Sequence, residues 1–264
     1  MIRVFLACLV FMSVVMAAAW AYQRYKKNGG WTDVFWLFGM GVIGVACALA
    51  LPPDGGKLTA RQLLVAGLVM VWSLRLGIHV LRRVARSAED ARYVMFREVV
   101  GSRFQTLMYW FLQVQAWAAA ILALSIFVAA HNPVPGLRWM DLGAASLFII
   151  GVLGESLADR ALSRFKSDPR NKGLVLDRGL WAWTRHPNYF FEWLVWLAYP
   201  LFAIDLSGAY PWGWFALSGP VSMYLILRHM AGVPALEAAL TSTKGEAYRA
   251  YQARVSPFFP RRPG

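Results

Sequence analysis

Asn188 and Glu192 stand four residues apart in RHPNYFFEWLVWLAYP (185–200), so on a helix they share one face about one turn inside an apolar run. Pro187 suits the first helical position, because its missing N–H is one of the donors left unpaired there. The remaining N–H groups of that turn favour an anion, and Arg185 and His186 add cationic donors just before it. An ionisable side chain within a membrane span costs about 2.5–3.5 kcal/mol on insertion scales, so Glu192 should face a cavity or a polar partner rather than lipid. With Tyr189 in the same turn, amide, carboxylate, imidazole, guanidinium and phenol converge within two turns. The plainer alternative is that Arg185 and His186 anchor the span at the interface and Glu192 pairs with a neighbouring helix for packing alone.

Three other groups of residues could work with this one. WSLRLGIHV places Arg75 and His79 four apart on one face of an apolar segment, where polar groups are candidates for function or for bonds between helices. The stretch 82–103, RRVARSAEDARYVMFREVVGSR, interleaves Asp90, Arg92, Tyr93 and Arg97 with Met95 and Phe96 and reads as a short amphipathic helix at the membrane face. The forked guanidinium groups of Arg92 and Arg97 suit phosphate, although a solvated basic loop would look the same. Asp159, Lys166, Arg228 and His229 would complete a basic vestibule around the helix start at 187, fitting a large anionic cofactor. No G-x-S-x-G, Walker loop or soluble dinucleotide fingerprint occurs.

The elements that must carry these residues are transmembrane helices. The 264 residues are 58% hydrophobic and 16% charged, against roughly 45–50% and about 25% in a soluble domain. Apolar runs long enough to span a bilayer fall at 2–22, 31–51, 60–81, 104–130, 139–158, 189–207 and 211–231. An all-α polytopic membrane protein of about seven spans is expected, a single integral domain over 1–264. Net charge +13 could suggest nucleic acid, but 22 of the 27 Lys and Arg lie in 24–30, 82–103, 160–185 and 228–264. These are the odd-numbered loops and the tail of a seven-span chain, so the positive-inside rule makes that side cytoplasmic and the N-terminus external.

Residues 1–27 could also be read as a secretory signal, but cleavage would leave Arg24, Lys26 and Lys27 outside, so a retained first span is expected. Cys8 and Cys47 fall within apolar runs, giving neither a disulfide framework nor a metal-ligand spacing. The tail 232–260 carries Ala, Leu and Tyr at helical spacing around Glu237, Glu246, Arg249 and Arg254, and reads as interfacial helix ended by Pro257. Trp20, Trp31, Trp36, Trp139, Trp212 and Trp214 near span ends read as interface-belt residues.

EDARYVMFRE, LADRALSRFK, GLWAWTRHPNYFFEWLVW and GVPALEAAL…GEAYRAYQARVSPFFP together resemble the bacterial, mostly uncharacterised branch of the membrane steroid 5-alpha-reductase family over roughly 60–260. The resemblance implies a seven-span fold in a bacterial inner membrane, with NADPH bound from the cytoplasm and a hydride transferred to the beta carbon of a lipophilic enone drawn from the bilayer. It implies that Asn188 and Glu192 lie beside the nicotinamide end and that Asp159 and Lys166 belong to the cofactor loop. The family's carbonyl-polarising Tyr falls on His79, four residues after Arg75. His79 or Tyr93 is then the catalytic donor. Asp90, Arg92, Arg97 and Arg228 join Arg185, His186 and Tyr189 around the cofactor. The Gln-Glu pair that holds the substrate carbonyl in animal members is absent from GVIGVACALALPP.

RHP, the aromatic after it and the C-terminal R…LE…G…Y…Y pattern also resemble methyltransferases of the isoprenylcysteine carboxyl type, which would bind S-adenosylmethionine. That cofactor carries no phosphates, so the loop arginines and Asn188 favour the reductase reading. A membrane scaffold whose polar residues only pack is the third alternative and predicts no nucleotide.

Overall fold

The computed structural model describes residues 1–51, 56–230 and 232–262. The outer loop expected at 52–59, the Pro52-Pro53 end of GVIGVACALALPP and Ala231 therefore lie partly or wholly outside the described residues. All regular structure among the described residues is helical. Five helices are long and apolar enough to cross a membrane, the fourth comprising 91–130, and the chain is an integral membrane protein. Contacts within the chain divide it into two compact units.

The first unit comprises Met1–Ala145 and Tyr199–Ser222. Its helices are α1 (Ile2–Lys26), α2 (Trp31–Ala48), α3 (Ala60–Arg86), α4 (Ala91–Val100) and α5 (Phe104–Ala130). The boundaries of α5 coincide with those expected from hydropathy. α1 packs on α5 and α2, and α2 packs on α3 and α5. Met12, Met16, Met40, Met108 and Leu112 fill the interior with no exposed surface, while Val10, Val14, Leu63, Met70, Trp110 and Val114 point outward. So much outward apolar surface would be an aggregation liability in water and is the expected exterior in lipid.

One end of this unit is fixed by a buried ion network. Thr59 and Gln62 form a reciprocal capping box at the start of α3. Beside it Arg61 gives Nε and Nη2 to Asp141 Oδ2 at 3.1 and 2.9 Å, and its other donors go to the carbonyls of Asn132, Val134 and Gly136 at 2.7–2.8 Å. Arg138 meets the other oxygen of Asp141 at 3.0 Å and donates to the Leu201, Phe202 and Ile204 carbonyls. His131, which has no expected role, lies 2.8 Å from the Phe127 and Ala50 carbonyls and stacks on Phe127.

The second unit comprises Ser146–Ala198 and the chain from Met223 onward. α6 (Trp139–Ser167) overshoots the expected 139–158 and ends where Asp168 caps a 3-10 turn at Pro169–Asn171. The single turn α7 (Leu180–Trp183) precedes α8 (Pro187–Ala203). The last expected span is broken into a 3-10 segment Pro211–Leu217, α9 (Ser218–Leu225) and a π turn Ile226–Met230. Pro211 takes the first position, where no donor is needed, and Pro220, which supplies none, lies in the first turn of α9 just after the change from 3-10 to α pitch. Two helices complete the tail, α10 (Val233–Lys244) and α11 (Glu246–Arg254), the latter ending before Pro257.

The close approach of α6 to α8 depends on two glycines. A Cβ at Gly154 would stand 2.3 Å from the Phe191 ring, and one at Gly151 would stand 2.7 Å from Val195 and 2.9 Å from the Phe191 carbonyl oxygen. Small residues at such crossings let helix backbones meet in a membrane, where packing rather than water drives association. This crossing brings the last turns of α6 beside the first turns of α8.

Candidate functional site: an acid and amide cluster in the second unit

At the α6–α8 crossing the structure brings together two of the expected residues. Asn188 donates from Nδ2 to Asp159 Oδ1 at 3.3 Å, while its Oδ1 accepts the Tyr189 backbone N–H at 3.1 Å. One turn deeper on α8, Glu192 is only 5% exposed and accepts the indole N–H of fully buried Trp196 at 2.9 Å. Asp159 and, one turn away on α6, Glu155 are also buried. Lys166 is exposed on the last turn of α6. The cluster thus offers an amide between carboxylates, with acceptors for the two N–H donors of a primary carboxamide and the Asn188 amide as a donor for its oxygen.

Arg185 and His186 have a partner that sequence reading did not give them. Arg185 is 8% exposed and makes a two-pronged pair with Glu237 of α10, Nε to Oε1 at 2.7 Å and Nη2 to Oε2 at 3.1 Å. Its Nη1 goes to the Gln252 and Val255 carbonyls at 2.9 and 2.5 Å. His186 Nε2 lies 3.0 Å from Glu237 Oε1, and its ring stacks on Tyr189 with centroids 5.5 Å apart. Gln252 donates to the second Glu237 oxygen at 3.0 Å. Burial pushes the His186 pKa down despite the carboxylate, so the neutral ring donates its Nε2 proton to Glu237. Burial alone would raise Glu237, but the hydrogen bonds from His186 and Arg185 outweigh it and hold the carboxyl at about 2.

Backbone bonds extend this junction. Arg185 N–H donates to the Ser256 carbonyl at 2.8 Å, Arg261 N–H to the Trp183 carbonyl at 2.9 Å, and the Thr184 hydroxyl to the Phe258 carbonyl at 2.9 Å. Tyr251 OH donates to the Trp181 carbonyl at 2.5 Å, and the Trp181 indole to the Ala158 carbonyl at 3.2 Å. The conformation of residues 181–186 that delivers Asn188 to Asp159 is therefore held by the tail. Arg185 and His186 act here as structural donors, with their hydrogen bonds directed away from any solvent-borne phosphate. Arg228, on the π turn, lines a cleft with tail residues.

The remaining expected residues belong to the first unit. Tyr93 is buried, and its hydroxyl donates to Asp33 Oδ1 at 2.9 Å with Thr32 Oγ1 at 3.1 Å. Arg92 meets Asp33 at 3.2 Å and Asp90 at 3.0 Å, and Asp90 also caps α4 through the Arg92 N–H. Burial favours the neutral form of Asp90, but Arg92 prevails and holds its carboxyl below the usual range. Arg97 pairs with Glu89 at 2.9 Å over the Phe104 ring, while Glu89 accepts the Gly29 N–H at 2.7 Å. A phosphate at Arg92 or Arg97 would have to compete with these carboxylates. His79 is half-buried on α3, one turn after Arg75.

Glu237, Asp33 and Glu89 were not among the expected residues. Glu237 had a sequence signal in the LE of the tail, but its partner is 52 residues away. Known proteins similar in sequence come without an assigned reaction. An uncharacterized protein of Schizosaccharomyces pombe is 28% identical over 288 residues, covering 98% of this chain and 80% of its own. No solved structure matches the chain. A model for a protein family of unknown function, DUF1295, matches residues 19–255, so the chain belongs to that family, which is steroid 5-alpha-reductase-like.

Proposed function

We propose that this protein is an NADPH-dependent membrane reductase that saturates the carbon–carbon double bond of a lipophilic enone. The observation that carries the reading is the half-buried Asn188 amide set among buried carboxylates at the α6–α8 crossing, 3.3 Å from Asp159 and with Glu192 one turn deeper. Its donors and acceptors fit a primary carboxamide such as that of nicotinamide, which offers two N–H donors and an acceptor oxygen. When bound, NADPH supplies the hydride that adds to the beta carbon of the enone. Asn188 and Glu192 hold the carboxamide in one orientation, while Lys166 and Arg228 supply positive charge for phosphate. A proton donor must stabilise the oxygen on which negative charge develops. His79 and Tyr93 are the proposed candidates for that role, and the Tyr93 hydroxyl donates to Asp33 in this structure.

The proposal includes seven spans, α8 and the broken 211–230 segment being the last two, with the N-terminus outside and the cofactor facing the cytoplasm of a bacterial inner-membrane enzyme. Two of the few cations expected on the outer side, Arg61 and Arg138, are bound by Asp141, which supports the charge asymmetry behind that topology. The substrate reaches the site from the bilayer, and no nucleic acid is involved.

The test is to extract the small molecules that copurify with the protein and identify them by mass spectrometry, then assay enone reduction. NADP(H) is expected, with Glu192→Ala abolishing NADPH-dependent turnover and Lys166→Ala weakening NADPH more than NADH. Copurified S-adenosylmethionine, or its demethylated product, would overturn the reading in favour of the methyltransferase. Lipid alone, with no NADPH-dependent turnover, would leave a scaffold.

A further inference from the structure

Between the end of the π turn and the last residues of the tail lies an open cleft of about 600 Å³, within the roughly 300–1,000 Å³ of small-molecule sites. Four arginines line it, Arg228, Arg254, Arg261 and Arg262, and no carboxylate does. Arg254 reaches Asp177 only at 3.4 Å, with both side chains at least half exposed, a geometry worth little in water. Arg228, Arg261 and Arg262 make no ion pair with any described carboxylate. Like charges gathered in one concavity raise the local potential and draw in an anion.

The other wall is aromatic. Tyr224 and Phe259 stack with centroids 5.8 Å apart, and Phe258 meets both edge-on. The chain around the cleft exposes apolar surface, with Phe259 40%, Trp183 49% and Met230 60% exposed. Guanidinium groups and exposed aromatics at the end of an apolar helical segment match an amphiphile that has a phosphate at one end and hydrocarbon at the other.

We infer that this cleft binds the phosphodiester headgroup of an anionic membrane phospholipid, the arginines holding the phosphate and the exposed aromatics meeting the upper acyl chains. The site is independent of the reductase reading, and its test needs no turnover. Arg228 lines both this cleft and the proposed cofactor vestibule, so the test leaves it intact.

The full chain, purified in dodecyl maltoside, is titrated with dioctanoyl-phosphatidylglycerol or dioctanoyl-phosphatidylcholine, and bound lipid is counted by native mass spectrometry. The wild type should retain phosphatidylglycerol at least tenfold more tightly than phosphatidylcholine, and this preference should fade between 50 and 500 mM salt. The triple variant Arg254→Gln/Arg261→Gln/Arg262→Gln should bind phosphatidylglycerol about 100-fold more weakly, at about fivefold per surface arginine. Equal binding of the two lipids by the wild type, a readout that requires no variant to fold, would overturn the inference. So would unchanged phosphatidylglycerol binding by a folded triple variant. A parallel titration with adenosine 2′,5′-bisphosphate separates the sources of phosphate. If that nucleotide loses affinity in the triple variant while phosphatidylglycerol does not, the cleft serves a soluble nucleotide and the lipid assignment fails.

Discussion

Glu237→Gln should release the tail from the start of α8, and the size of the effect can be worked from the pair it breaks. A carboxyl held at about 2 in place of its ordinary 4.5 contributes about 3 kcal/mol to the folded state above pH 4.5. Glu237 is only 15% exposed and Arg185 8%, so solvent screens little of this. Removing one partner of a buried ion pair costs about 3–5 kcal/mol because the other charge is stranded, which agrees in magnitude. The assay is hydrogen exchange at the amides that join the two segments, Arg185 N–H to Ser256 O and Arg261 N–H to Trp183 O. At about 1.4 kcal/mol per decade, a local opening easier by about 3 kcal/mol should speed exchange of both amides roughly 100-fold. The sign with pH follows from the direction of each change. A depressed carboxyl gives stability that is complete above 4.5 and is lost as pH falls towards 2. His186 acts in the same direction, because its lowered pKa makes the unfolded chain take up a proton first as pH drops below 6.5. The wild type in acid should therefore reproduce the opening seen in Glu237→Gln at neutral pH. Unchanged protection at both amides in the variant would refute the reasoning, and the double replacement Arg185→Met/Glu237→Leu should recover much of the loss.

Three further outcomes follow from the packing. Cys8 and Cys47 have sulfur atoms 3.4 Å apart between α1 and α2, so membrane-permeant oxidation should join them, read as a shift on non-reducing gels that Cys8→Ser abolishes. Absence of the link would mean that α1 does not pack on α2 in the mature protein. Gly154→Leu forces a side chain into the Phe191 ring and should cost at least about 1–3 kcal/mol, seen as a lowered thermal midpoint, whereas Gly143→Leu, with open space around its Cα, should be nearly neutral. Asp141→Ala strands both Arg61 and Arg138 and should destabilise the first unit by about 3–5 kcal/mol, measured by thermal unfolding, with Asp141→Asn between the two.

The helices were legible where hydropathy and backbone agree, and less so where they part. Phe104–Ala130 was readable to the residue because uninterrupted apolar sequence and uninterrupted hydrogen bonding coincide there. The expected end of α6 at 158 mistook the first charged residues for the end of a helix. Leaving lipid does not end helical bonding, and the chain continues to Ser167, until Asp168-Pro169 supplies a turn. The expected span 211–231 is helical from Pro211 to Met230 but changes from 3-10 to α to π pitch along the way, which hydropathy does not register. Asn188 and Glu192 were legible as a pair from their spacing within one helix. The Asp159 contact and the Arg185–Glu237 pair join residues 29 and 52 apart, and no local periodicity encodes such contacts.

Within the second unit, charge is buried in two ways, and the difference separates scaffold from site. Glu237 is surrounded by Arg185, His186 and Gln252, and the bonds from Arg185 and His186 tie the tail to the chain entering α8. Its removal should register first in protection and stability. Asn188 and Glu192 lie on the helix that this junction delivers, with Asp159 on α6 and Trp196 on α8 itself among their partners. A conservative change such as Glu192→Gln keeps an acceptor for the Trp196 indole at nearly the same volume, so exchange at residues 255–261 should hardly change. If Glu192→Gln loses bound nucleotide while those amides stay protected, the carboxylate belongs to a binding site. If protection falls in step with binding, Glu192 is part of the brace and the cofactor site must be sought elsewhere on the unit.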